Sequence, residues 1–133
     1  MQYPEFIHKA KAKLGVSTEG EVLDVTRAFL HTLTQHLAGN AADNMGAQLP
    51  GPLLDIIREI PAEERNQGER FKLTEFYDRV ADQLGVDAER GKALTHQFMS
   101  VFSQLVTAGE LHKIQITLSD DYAPLFEGVG VKV

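Results

Sequence analysis

A set of residues recurs about 70 positions along this chain, which limits the fold to one assembled from two similar units. Glu5-Phe6 returns as Glu75-Phe76, and Leu14-Gly15-Val16 as Leu84-Gly85-Val86. Glu19 returns as Glu89, and Gly39 as Gly109. A repeat of this length marks a duplicated structural unit. It says little about chemistry, because no catalytic or ligand-binding signature sits on the matching positions.

The repeated units read as helices. Pro4-Glu5 suits a helix start, since proline fits the first helical position and an acid fits the positive end. Phe6, Ile7, Ala10 and Leu14 then mark one face of a short helix, stopped by Gly15. Ser17 is the expected N-cap of the next helix, with Glu19 and Glu21 in its first turn. Val22, Val25, Thr26, Phe29, Leu30, Leu33 and Leu37 form an apolar stripe about four turns long. A helix over about 18–38, closed by Gly39, would be about 31 Å long. Ala42, Met45 and Leu49 give a weaker helical pattern stopped by Pro50. Leu53, Leu54, Ile56 and Ile57 form a short apolar segment starting near Pro52.

The segment 61–70 lacks an apolar period and reads as a polar linker. Beyond it Leu73, Phe76, Tyr77, Val80, Ala81 and Leu84 repeat the short helix, ended by Gly85, and Asp87 takes the capping position. In the second long helix, over about 88–108, the register slips by one. Val25-Thr26 match Leu94-Thr95, Phe29-Leu30 match Phe98-Met99, Leu33 matches Phe102 and Leu37 matches Val106. Gly109 is expected to close this helix. Ser119-Asp120-Asp121 is a capping signal for a last segment carrying Tyr122, Leu125 and Phe126. Leu111, Ile114 and Leu118 suit a helix, the favoured reading. The alternation of Ile114, Ile116 and Leu118, with Val129, Val131 and Val133, leaves a hairpin between 114–118 and 129–133 as the alternative.

The expected architecture is all-α: one domain over 1–133, with pseudo-repeats 3–57 and 73–126. At 43% hydrophobic residues the chain can build a core, and at its length folding buries about two-thirds of the unfolded surface. The formal net charge of −6 opposes nucleic-acid backbones and anionic membranes. Lys9, Lys11 and Lys13 spread around their helix and form no basic stripe. The absence of cysteine excludes disulfides, thiolate metal sites and cysteine nucleophiles, and suits a reducing compartment. No segment reads as a signal peptide or a membrane span, so a cytoplasmic protein is expected.

The segments Tyr3-Pro-Glu-Phe6, Leu14-Gly-Val16, Ala47-Gln-Leu-Pro50, Phe71-Lys-Leu-Thr-Glu-Phe76, Arg79-Val-Ala81, Gly109-Glu-Leu111 and Tyr122-Ala-Pro-Leu-Phe126 resemble one bacterial family, the domain-of-unknown-function 2267 family. The resemblance runs from about 3 to 126 and rests on the order and spacing of the segments together. Lys72 departs from the pattern where a serine or threonine cap is common, which weakens that helix start. Ser119 departs from it where proline is usual. The resemblance implies a soluble, helical, bacterial protein and brings no catalytic residues.

The histidines invite a metal reading, but His8, His31, His36, His96 and His112 include no pair at i, i+3 or i, i+4, the spacing that puts two ligands on one helical face. Asp24, Arg27 and His31 are the best constellation, and they read as a solvated face with a local ion pair. Thr26 and Thr95 lie on the buried stripe, where each hydroxyl can bond a carbonyl one turn back. The alternative is a paired polar contact near a pseudo-twofold axis. Gly91 lies on the same face as Leu94 and Phe98, which points to close helix approach or to a small pocket beside it. No Gly-x-Ser-x-Gly elbow is present, and Gly128-Val-Gly130 is followed by no phosphate-binding helix.

The sequence therefore assigns no catalytic residue, cofactor site or metal ligand. It points to a non-catalytic interaction or oligomerisation module, regulatory roles included, with a protein partner or a second copy as its target. The competing class is a small-molecule binder or enzyme with a pocket between the halves near Gly91.

Overall fold

Gly15 and Gly85 each end a helix in the left-handed conformation, at φ 69° and 67°, where a side chain would be strained. The computed structural model describes residues 1–65 and 67–129. Helices run as α1 (Tyr3–Leu14), α2 (Glu19–His36), α3 (Ala41–Gly46), α4 (Gly51–Arg58), α5 (Leu73–Leu84), α6 (Ala88–Phe102), α7 (Ala108–Thr117) and α8 (Ala123–Phe126). A 3₁₀ turn at Asp120–Tyr122 leads into α8. No sheet forms among the described residues, so the fold is all-α.

The expected N-cap of α2 moves by one residue. Thr18, not Ser17, closes a capping box. Its hydroxyl accepts the Glu21 N–H at 3.2 Å, and Glu21 accepts the Thr18 N–H at 3.2 Å. The reason is the residue three positions on: from Thr18 it is Glu21, whereas from Ser17 it is Gly20, which has no side chain to return the bond. The helix then ends at His36, short of 38, because Leu37 is already extended.

The second long helix also stops early, at Phe102. Ser103 donates its hydroxyl to the Ser100 carbonyl at 3.0 Å, and Gln104 donates to the same carbonyl at 3.2 Å. These local bonds compete with helix continuation. Thr107 then caps a new helix by accepting the Glu110 N–H at 3.1 Å. Gly109 thus falls in the first turn of α7 and does not close α6. The helical reading of 111–118 holds to Thr117. The hairpin alternative loses its first arm to that helix, and in its second arm 130–133 lie outside the described residues.

The core is one cluster through both halves of the chain. Phe29 on α2 packs against Phe76 of α5 at 5.5 Å between ring centres, and against Phe98 and Phe102 of α6 at 4.8 and 5.5 Å. Phe6 of α1 reaches Phe98 at 6.2 Å. Phe29, Leu33, Phe98 and Phe102 are at most 2% exposed, as the apolar stripes require. Each long helix is therefore covered by a short helix from the other half: α1 lies on α6, and α5 lies on α2.

The segment 61–70 is polar and exposed over 61–64, yet its far end is fastened to α2. Gly68 N–H bonds the Leu37 carbonyl at 2.9 Å, and Glu69 N–H bonds the Gln35 carbonyl at 3.0 Å. An antiparallel bridge pairs Ala38 with Gln67. Arg79 of α5 pairs with Glu69 and Glu75, donates to Gln35 at 2.9 Å, and lies over the Phe71 ring at 3.9 Å.

Candidate functional site

Gly91 explains how one open cleft on the surface is built. A Cβ at this position would come within 2.6 Å of the Ala81 Cβ and 2.9 Å of the Tyr77 carbonyl. Glycine therefore lets α6 lie directly on the backbone of α5, and the close-approach reading holds. The contact is within one half of the chain, so the expected pocket between the halves is not what Gly91 produces. It instead brings α6 close enough for Tyr77 to meet a side chain little more than a turn further on. Tyr77 Oη and His96 Nε2 stand 2.6 Å apart.

This pair lines an open cleft of about 580 Å³. Lys72, Leu73 and Thr74 border it at the start of α5, Lys92 and His96 come from α6, and Asp121, Pro124 and Glu127 come from the C-terminal turns. Lys92 and His96 share a helical face because they are four residues apart. The Lys92 ammonium lies 5.7 Å from the centre of the Tyr77 ring.

Burial pushes the His96 imidazole below its ordinary value, and the nearby Lys92 charge pushes it the same way, while Glu127 opposes them. Burial raises the Tyr77 phenol. At neutral pH the pair is therefore a neutral imidazole and an intact phenol. The two share one hydrogen bond, whose direction is set by which imidazole nitrogen carries the proton.

The start of α5 repairs the weakness that Lys72 introduces. Lys72 offers no side-chain cap. Asp121 accepts the Leu73 N–H at 2.8 Å and also the Ser119 hydroxyl. These bonds hold its carboxyl below the ordinary value, the Ser119 hydroxyl contributing most. The Ser119-Asp120-Asp121 signal thus serves a distant helix more than its own turn.

The residues singled out in the sequence are otherwise scattered. Arg27 binds Glu59 through two bonds, at 2.8 and 3.0 Å. His31 donates to the Ile56 carbonyl at 2.9 Å and sits 3.2 Å from Glu59. The local ion pair expected within Asp24, Arg27 and His31 is replaced by a long-range one, with Glu59 just past the end of α4 as its acid, and Arg27 holds the Glu59 carboxyl below its usual range. Thr26 and Thr95 donate to the Val22 and Gly91 carbonyls at 2.8 and 2.7 Å, inside their own helices. His8 is exposed, His112 is half-buried, and His36 is buried between the Phe71 and Tyr122 rings. No group of three or more histidine or acidic side chains is placed to hold a metal among the described residues. The Tyr77–His96 pair escaped the sequence reading because its partners come from different helices. The signal that could have found it was Gly91, which marks where those helices touch.

A family model for uncharacterized conserved proteins, DUF2267, matches residues 3–125. The chain belongs to the DUF2267 family. Among curated proteins no match to it is found. The DUF2267 match spans α1 to α7 and all but the last residue of α8, so it covers both Tyr77 and His96. No helix among the described residues is long and apolar enough to cross a membrane.

Proposed function

We propose that this chain is a non-catalytic binding module whose recognition surface is the cleft between α5, α6 and the C-terminal turns. One observation carries the reading. The Gly91 contact places a hydrogen-bonded Tyr77–His96 pair, two lysines and the apolar side chains of Leu73 and Pro124 around one open hollow. Apolar walls with a few convergent polar groups are what small-molecule sites share. The small-molecule class thus gains support over the interaction or oligomerisation module, with its pocket beside Gly91 in the second half of the chain. Large apolar side chains exposed among the described residues are Met1 and Ile116, which is thin support for a broad self-association face.

A non-catalytic role fits the local chemistry. Tyr77 and His96 satisfy one another, and no serine lines the cleft beside them. The net charge of −6 disfavours nucleic acid as a partner, and a cysteine-free chain suits the cytoplasm of a bacterium. The two-unit repeat belongs to the same proposal: duplication supplied a second helix pair, and its groove was adapted for binding.

The test is a titration of the full, nitrogen-15-labelled chain with a mixture of acidic, neutral and basic one-ring compounds. Amide shifts should cluster at Tyr77, Lys92 and His96. Shifts clustered around Ile116, or lines that broaden as protein concentration rises, would favour a self-associating module instead.

A further inference from the structure

We infer that the groove between α1 and α6 docks an extended acidic segment of a partner protein, in the way that residues 67–69 of this chain lie against α2 and α5. This surface is separate from the cleft at Tyr77 and goes beyond the proposed small-molecule site.

The contacts of α1 on α6 match those of α5 on α2 at a spacing of about 70 positions. Phe6 meets Phe98 edge to face at 6.2 Å, and Phe76 meets Phe29 in the same way at 5.5 Å. Lys9 donates to the Gln104 side chain at 3.1 Å, and Arg79 to the Gln35 side chain at 2.9 Å. Lys9 pairs with Glu5 at 3.3 Å, one turn back, and Arg79 pairs with Glu75 at the same offset. On the α5 side a strap completes the set. The Gly68 and Glu69 N–H groups bond the Leu37 and Gln35 carbonyls, and the Glu69 carboxylate is a second acid on Arg79. On the α1 side Lys9 holds Glu5 alone among the described residues. The Gln104 carbonyl, at the position of Gln35, accepts no hydrogen bond among them.

Charge identifies the occupant. His8, Lys9, Ala12 and Lys13 of α1 face Ser100 and Gln104 around a groove of about 560 Å³, and no carboxylate among the described residues lines it. The three lysines of α1 form no stripe, but Lys9 and Lys13, four residues apart, share one face. Glu5 is matched to Lys9, and Lys13 makes no ion pair among the described residues. At the corresponding places on α5, His8, Ala12 and Lys13 become Asp78, Asp82 and Gln83. Each difference makes the α1 side less negative or more positive than the side that already carries an acidic strap. Exposed ion pairs are weak singly, so the main-chain bonds of an extended segment are needed beside the charge, as in other strand-like docking.

The full, nitrogen-15-labelled chain is titrated with a blocked peptide, acetyl-Gln-Gly-Glu-Glu-Phe-amide, which keeps the Gln-Gly-Glu order of 67–69. Saturable amide shifts are expected at Lys9, Lys13, Ser100 and Gln104, with Tyr77, Lys92 and His96 unmoved. Lys13→Ala should weaken binding about two- to fivefold, while Lys113→Ala on α7 should not. Both lysines are exposed, so neither variant threatens the fold. The inference is overturned if Lys13→Ala changes nothing, or if the peptide with glutamine for both glutamates binds as tightly. Inorganic phosphate giving the same shifts at the same concentration would show that charge alone is read, which rules out the polypeptide occupant. Groove shifts that grow with the concentration of the chain alone would assign the surface to a second copy and overturn the partner. If no groove amide moves, the inference falls, and the cleft at Tyr77 stands or falls by its own titration.

Discussion

Asp121 caps a helix that begins 48 residues before it, accepting the Leu73 N–H at 2.8 Å. The bond ties the 3₁₀ turn at Asp120–Tyr122 to the first turn of α5, so the C-terminal wall of the cleft is held by a cap. Tyr122 adds a second tie, donating its hydroxyl to the Phe71 carbonyl at 2.8 Å from a buried position.

Asp121→Ala should lower stability by about 1 kcal/mol, the usual cost of losing a helix cap. Asp121→Asn, which keeps an acceptor oxygen, should lose less. The carboxyl is held below its ordinary value of 3.8, so its contribution is present above that pH and fades as pH falls through the folded value. Urea unfolding at pH 7 and pH 3 checks both points: the gap between wild type and Asp121→Ala should narrow at acid pH.

Gly91→Ala should destabilise although alanine is the better helix former. The new methyl group meets the Ala81 Cβ and the Tyr77 carbonyl, which cannot swing aside. Overpacking of this kind costs about 1–3 kcal/mol, more than the ~1 kcal/mol that helix propensity returns. Gly20→Ala is the control. Nothing lies within 4 Å of its Cβ, so stability should rise by a few tenths to ~1 kcal/mol. Thermal unfolding of the two variants should shift in opposite directions. The Tyr77 and His96 ring signals should move only in Gly91→Ala.

His96 should make stability sensitive to mild acid. Its folded value lies below the ordinary 6.5, chiefly because burial disfavours the imidazolium. The unfolded chain therefore binds a proton that the folded chain resists. Stability from this group is complete above about pH 6.5 and declines as pH falls towards the folded value. His96→Gln, which keeps a polar side chain near Tyr77, should flatten that decline. Denaturant midpoints at pH 7.5 and pH 5 give the comparison; equal acid losses in wild type and variant would contradict it.

The helices were legible where a pattern was local and strong. Val22 to Leu33 show their buried stripe at helical spacing, and Gly15 and Gly85 show their stops. Legibility failed where two local signals competed. Ser17 and Thr18 are both good caps, and only the residue three positions on decides between them. It failed again at Thr107, where a fresh cap outweighed the match of Val106 to Leu37 that extended the stripe of α6. The cleft was least legible, because Tyr77 and His96, like Leu73 and Asp121, are joined by packing and not by spacing. Gly91 was the exception: an unfavourable residue inside a helix signals that something occupies the space a side chain would need.

The packing makes a firm prediction about cutting the chain. Phe29 belongs to the first half, yet its ring partners Phe76, Phe98 and Phe102 all belong to the second. Phe6 likewise packs on Phe98. Residues 1–62 alone would expose the face of α2 that α5 covers, and residues 66–133 alone would expose the face of α6 that α1 covers. A segment of about 60 residues is already marginal for folding by itself. Each fragment should therefore be largely unfolded, or should pair with its own copy. Mixed, they should assemble into a helical heterodimer and regain the circular-dichroism signal of the intact chain. A cut between 62 and 66 keeps Gly68 and Glu69 with the second fragment, so their bonds to Leu37 and Gln35 should help to join the two. Phe29→Ala in the first fragment should block the recovery, because that ring contacts both α5 and α6. If instead each fragment unfolds cooperatively as a monomer and mixing adds no helix, the core is not shared, and the contacts of Phe29 contribute far less than their burial requires.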